Sequence, residues 1–199
     1  MIIVGLTGGI ASGKSFVVGY LKKIRIPTHE SDMVVKALYN KPTNSFFNYL
    51  KKEGFEKAFL KKKINKNTIR EEIFEKTNKR KKLEKYLHNE VRKSREEFIK
   101  KNKKKKIIFL DIPLLFENKL EKVCDYICST IAPLKTRKAR ALQRPGMKKK
   151  IFDQIVKTQE TDSGRKKKSH YLINTSKTKK KTCLQVDYII YDIFKNTNR

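Results

Sequence analysis

Apolar positions along the chain alternate between short continuous runs and helically spaced stripes. Ile2-Ile3-Val4-Gly5-Leu6-Thr7 is a β-branched run that predicts a buried strand, and Phe16, Val17, Val18 and Leu21 follow at helical spacing. Ile24-Arg25-Ile26-Pro27-Thr28 leads into a second short strand ending near Asp32. From Met33 to about Lys105 no core strand is predicted. Phe46, Phe47 and Leu50, then Ile69, Ile73 and Phe74, then Leu83, Tyr86, Leu87 and Val91 recur three or four residues apart among charges, the pattern of amphipathic helices. Asn67-Thr68, with Glu71 and Glu72 just beyond, marks a helix start. Ile107–Leu110 forms a third strand ending at Asp111, Tyr126–Ile131 a fourth, and Tyr171–Asn174 a fifth. Ala132-Pro133 opens a helix that Arg144-Pro145-Gly146 breaks. A second helix then spans Lys148–Gln159, and a last one runs from about Thr178 through Phe194. Strands alternating with helices predict an α/β fold: a three-layer core with a five-stranded parallel sheet (1–33, 106–139 and 166–199), a helical insertion (34–105) and a helical lid (140–165).

Charge changes this picture less than its size suggests. The formal net charge of +30 over 199 residues raises the question of a nucleic-acid partner. Its lysine runs, at Lys61–Lys63, Lys103–Lys106, Lys148–Lys150, Lys166–Lys168 and Lys179–Lys181, are scattered rather than gathered on one arginine-rich face. The expectation is weak, non-specific polyanion binding at low salt and no specific nucleic acid. No apolar run approaches the ~20 residues that span a bilayer, and no basic leader precedes the first strand, so the expected location is cytoplasmic, with no membrane partner. The three cysteines form neither a zinc nor a disulfide pattern.

The chemistry concentrates after the first strand. Gly8-Gly9-Ile10-Ala11-Ser12-Gly13-Lys14-Ser15 is G-x-x-x-x-G-K-S between a strand and a helix, the context of a phosphate-binding loop. Its glycines let the backbone approach an anion, the N–H groups of Gly9–Phe16 line a concavity, and the helix adds its positive end. Lys14 reaches β- and γ-phosphates, and the Ser15 hydroxyl suits Mg²⁺. Asp32 sits where a carboxylate orients or deprotonates an attacking hydroxyl, although it equally suits a helix N-cap. Asp111, closing an apolar strand, suits the metal or its waters, and the apolar Ile112-Pro113-Leu114-Leu115-Phe116 stretch suits a pocket wall. Arg137, Arg140 and Arg144 share one helical stripe that would neutralise transferring phosphoryl oxygens. His88 and Arg92 share another, an ordinary solvated face unless a substrate meets it.

These residues resemble the dephospho-coenzyme A kinase family of P-loop kinases over nearly the whole chain. The likeness rests on Gly5-Leu6-Thr7-Gly8-Gly9-Ile10-Ala11-Ser12-Gly13-Lys14-Ser15, Ile26-Pro27 leading to Asp32, His88 with Val91-Arg92, Asp111-Ile112-Pro113-Leu114-Leu115-Phe116-Glu117, Arg140, Arg144, Gln159 and Asn174. The resemblance implies ATP and Mg²⁺ as cofactors and dephospho-coenzyme A as the small-molecule partner, phosphorylated on its ribose 3′-hydroxyl, by a monomer or small homo-oligomer. It implies Lys14, Asp32 and Arg140 as catalytic residues. ATP would be held by Gly9, Ile10, Ala11, Ser12, Gly13, Lys14, Ser15, Phe16, Arg144 and Asn174. Asp32, His88, Arg92, Asp111, Pro113, Leu114 and Leu115 would face the acceptor, with Ser15 and Asp111 toward the metal. The chain departs from the family at Glu30-Ser31, Asn89, Arg137 and Ser169-His170, and lacks a glycine after Asn174. Two other readings share the phosphate loop. A nucleoside or nucleotide kinase is disfavoured by the apolar Pro113–Phe116 loop and the large insertion, and a nucleic-acid-dependent ATPase by the absence of an interleaved aromatic–basic stretch.

Overall fold

A computed structural model describes residues 1–60 and 63–197, so Lys61 and Lys62 of the first lysine run lie outside the described residues. The first apolar run is β1 (Ile2–Gly8), followed by α1 (Lys14–Lys23) and β2 (Thr28–Glu30). Next come α2 (Ser31–Asn40), α3 (Asn44–Lys52), two short strands β3 (Phe59–Leu60) and β4 (Lys63–Ile64), α4 (Lys66–Glu75) and α5 (Thr77–Lys101). The remainder comprises β5 (Ile107–Asp111), β6 (Tyr126–Ile131), α6 (Leu134–Leu142), α7 (Lys149–Thr158), α8 (Asp162–Lys168), β7 (Tyr171–Asn174) and α9 (Lys179–Thr197).

Five strands form one parallel sheet in the order β2-β5-β1-β6-β7. β1 lies at its centre, and a parallel sheet covered on both faces needs apolar residues on both sides of each strand. Val4 and Leu6 are accordingly fully buried, as are Ile108 and Leu110 of β5. Gly5 is required where it stands, because a Cβ there would lie 2.7 Å from both Cys124 Sγ and Leu115 Cδ1. The register pairs Leu6 with Asp111, Gly8 with Thr130 and Ile131 with Asn174. The ends of four strands therefore meet along one sheet edge, where the strand order reverses around β1, the place at which open α/β sheets bind ligands.

The chain divides into two compact units, Met1–His29 with Asn102–Arg199, and Glu30–Lys101. Each bound of the helical insertion lies a few residues earlier than the apolar pattern places it, and α6–α8 group with the sheet. The second unit has its own core of Phe46, Leu50, Phe55, Ile69 and Leu83, edged by Tyr49 stacked on Tyr86 with ring centroids 4.0 Å apart. Two expectations change here. Phe74 is 91% exposed rather than buried, on the side of α4 away from the face on which Ile69 and Ile73 pack into this core. The cap of α4 is Asn65, whose side chain accepts from Asn67 N at 3.0 Å and Thr68 N at 3.5 Å, so the helix starts slightly before Asn67-Thr68.

Cys128 lies inside β6, and burial pushes its thiol up to about 12, with Cys124 adding to the shift. The reactive thiolate is thus scarce at neutral pH. In the native protein at pH 8, alkylation followed by peptide mass mapping is expected to leave Cys128 unmodified until denaturant is added.

Candidate active site

The phosphate loop begins where β1 ends and closes where α1 begins. Gly13 adopts φ 87° as the N-cap of α1, a conformation natural to glycine, and a Cβ there would lie 2.7 Å from Thr175 Oγ1. Ala11 also takes a positive φ of 56°, and Ser12 N donates back to the Gly9 carbonyl at 3.0 Å, closing a turn. Three hydroxyls hold this shape. Thr130 Oγ1 donates to the Thr7 carbonyl at 3.2 Å and meets Ser12 Oγ at 2.6 Å, so Ser12 is the donor of that second bond. Thr175 Oγ1 donates to the Ser12 carbonyl at 2.7 Å. The Ile10 N–H donates to Gln159 Oε1 at 2.8 Å, tying the loop to the end of α7.

Lys14, in the first turn of α1, forms an ion pair with Asp111 at the end of β5, as the pairing of Leu6 with Asp111 makes geometrically natural. Asp111 is buried, so the pair brings a cation and a carboxylate together beside the loop amides. Ser15 is exposed in the same helical turn. A serine hydroxyl and a carboxylate are hard oxygen donors, a set that fits Mg²⁺. The Thr7 hydroxyl donates to the Pro113 carbonyl at 3.1 Å, pinning the segment after β5 to the loop's entry.

The arginines do not form one stripe. α6 ends at Leu142, the Arg144 N–H caps Ala141 O at 3.0 Å, and Gly146 at φ 76° completes the turn. Arg144 therefore lies beyond the helix and is exposed. Arg140 donates to Thr175 Oγ1 at 3.0 Å and to the Thr175 carbonyl at 2.7 Å, so the hydroxyl that holds Ser12 also holds Arg140. Arg137 is buried and pairs with Asp162 at 2.6 Å. Beside it Arg165 is buried against Glu117 at 3.1 Å; burial pushes its guanidinium down from the ordinary value, and Glu117 and Asp162 oppose the shift.

Other expected residues fall differently. Leu115 is fully buried against the Gly5 position, so its side chain belongs to the core and not to a pocket wall, whereas Leu114 is exposed and Pro113 half-buried. Asn174 turns its carboxamide oxygen to the Ser176 N–H at 2.9 Å and hydroxyl at 2.7 Å, a local turn that occupies the acceptor expected to face a nucleotide. Asp32 is not at the strand end. β2 stops at Glu30, which is itself the N-cap, and Asp32 is exposed in the first turn of α2. His88 and Arg92 are exposed one turn apart on α5. Asp32, His88 and Arg92 thus belong to the second unit, and Gly9–Phe16, Asp111, Pro113, Arg140 and Asn174 to the first. Sequence reasoning missed Thr130 and Thr175. A hydroxyl near a strand end carries no signal until the register shows what lies opposite.

The family model for dephospho-CoA kinase (CoaE) matches residues 2–181. A dephospho-CoA kinase of Bartonella quintana is 36% identical over 98% of this chain and 100% of its own length. One from Rhizobium meliloti is 32% identical, covering 97% and 98% respectively. Among solved structures, a dephospho-CoA kinase from Campylobacter jejuni superposes with a TM-score of 0.73 at 20% identity, covering 98% of each chain. A shikimate kinase from Bacteroides thetaiotaomicron reaches 0.53 at 10% identity, covering 96% of this chain and 98% of its own, a likeness of fold. With a phosphate loop at the centre of its sheet and matches running through both units, the chain belongs to the dephospho-CoA kinase family.

Proposed function

We propose that this chain transfers the γ-phosphoryl group of ATP to the ribose 3′-hydroxyl of dephospho-CoA, giving CoA and ADP. The observation that carries the reading is the convergence on one loop of a lysine paired with a strand-end carboxylate and an arginine anchored through Thr175. Phosphoryl transfer asks a protein mainly for positioning and charge, and this arrangement supplies both. The Gly9–Phe16 loop, through the amides not already given to Gln159 and to the Gly9 and Gly13 carbonyls, and the Lys14 ammonium hold the phosphates. Asp32 accepts the proton of the 3′-hydroxyl, or orients it, as that oxygen bonds to the γ-phosphorus and the bond to the β,γ-bridging oxygen breaks. Arg140 stabilises charge on the transferring oxygens, with Arg144 assisting. Asn174 contributes to the nucleotide site through its turn. His88, Arg92, Asp111, Pro113 and Leu114 meet the acceptor. Ser15 and Asp111 are the residues to hold Mg²⁺, which when bound neutralises phosphate charge. The reading includes a cytoplasmic monomer or small homo-oligomer without a specific nucleic-acid partner; among the described residues no helix is long and apolar enough to cross a membrane.

The test is ADP release with ATP and Mg²⁺, comparing dephospho-CoA, AMP, adenosine and RNA, with the product weighed by mass spectrometry. Release with dephospho-CoA alone, and a product one phosphoryl group heavier, supports the proposal; release with AMP or adenosine moves the chain to nucleotide phosphorylation. Arg140→Ala is expected to lower kcat/KM by about 10²-fold, on the order of 3 kcal/mol of transition-state stabilisation. A change confined to KM would make it a binding residue only.

A further inference from the structure

We propose that Arg137 is a positioning residue for the phosphate loop, paired with Asp162 so that Gly9 and Ile10 are fixed against the turn between α7 and α8. The inference rests on the loop's being a nucleotide site, as proposed above. Arg137 is 4% exposed, on a helix whose other arginine faces Thr175. One guanidinium nitrogen, Nη2, donates to Asp162 Oδ2 at 2.6 Å. The other, Nη1, lies against Gly9 so closely that any Cβ at position 9 would overlap it. Its Nε has no partner among the described residues, and the side chain lines a cavity of about 170 Å³ together with Gln159, Glu160, Asp162 and Arg165. Gln159 in turn holds the Ile10 N–H.

These contacts form a closed set of charges. Arg137, Arg165 and Lys168 face Asp162, Glu117 and Glu160, and the Glu160 N–H donates to Glu117 Oε1 at 2.7 Å. Buried ion pairs add little net stability, because desolvation offsets their attraction. A planar guanidinium with fixed donors does supply geometry. Here it sets the position of Gly9 beside the Ile10 amide, in a loop where a displacement of ~1 Å costs on the order of 10²-fold in rate. A further consequence concerns Gly9 itself, since a Cβ there would require the Arg137 guanidinium to shift.

The experiment measures binding of a non-hydrolysable ATP analogue by calorimetry, together with kcat, both KM values and Tm, for wild type, Arg137→Met, Arg137→Lys, Asp162→Asn and the Arg137→Met/Asp162→Asn pair. Arg137→Met is expected to weaken analogue binding and raise KM for ATP about tenfold, in the range seen when a group that orients a ligand is lost, with the acceptor KM unchanged. Arg137→Lys is expected to recover part of the loss, and the double variant to be non-additive. A variant that melts lower yet binds the analogue like wild type overturns the proposal by leaving Arg137 a purely structural role, as does an effect on the acceptor KM alone. If wild type binds the analogue but leaves dephospho-CoA unmodified, the reaction assigned above fails while the Arg137 series still decides this inference. Wild type that binds no analogue ends both.

Discussion

Lys14→Ala is expected to lower kcat by on the order of 10²-fold or more, the scale of removing a preorganised charge from the transferring group. The side chain has two roles that the substitution removes together. It supplies the loop's cation, and it neutralises Asp111, which is 5% exposed at the end of β5. Losing the first slows phosphoryl transfer. Losing the second takes one cation from a buried carboxylate, which lowers the melting temperature. The Lys14→Ala/Asp111→Asn variant tests the effect on stability, with Asp111→Asn alone as the control for rate, since Asp111 is itself assigned to the metal. The double variant's melting temperature should return toward wild type, because the group that lost its ammonium is no longer charged, while kcat stays low. Recovery of both would show that Lys14 acts only through the integrity of the sheet edge.

Asp32→Asn carries the second large effect, a fall in kcat of on the order of 10²-fold or more with the fold intact. Its position makes the test clean. Asp32 is exposed in the first turn of α2, where a carboxylate contributes at most about 1 kcal/mol through the helix dipole. Stability should therefore hardly change. A drop in rate without a drop in Tm identifies a carboxylate that acts on the acceptor hydroxyl. Turnover near that of wild type would reduce Asp32 to a helix-terminal charge.

Four strands of the sheet were legible because each is a largely apolar run, and a buried parallel strand has little other composition open to it, while β2, Thr28–Glu30, was placed only by the Ile26-Pro27 before it. The phosphate loop was legible because its glycines, lysine and serine are dictated locally, by backbone conformation and reach. What escaped depends on residues far apart in the chain. Leu115 looked like a pocket wall, since an apolar loop residue reads the same whether it faces a ligand or the underside of Gly5. Thr175 carried no local mark at all; its importance comes from Ser12 and Arg140 arriving on either side of it. The arginine stripe assumed a helix reaching Arg144, and the turn at Pro145-Gly146 draws that end back to Leu142. α8 was invisible because Asp162–Lys168 has no apolar face; it is held by buried Arg165. The two-residue strands β3 and β4 were too short to show alternation.

The central place of β1 also fixes an order of assembly during synthesis. Ile2–Leu6 is made before its partners, which are Ile107–Asp111 on one side and strand β6 on the other. This apolar core strand must wait unpaired for its neighbours until about a hundred further residues have been made. The helical unit at 30–101 lies wholly between these partners in sequence. A released fragment ending at residue 106 should therefore hold the helical unit beside a strand with neither neighbour, the species on which chaperones would act and from which aggregation would start.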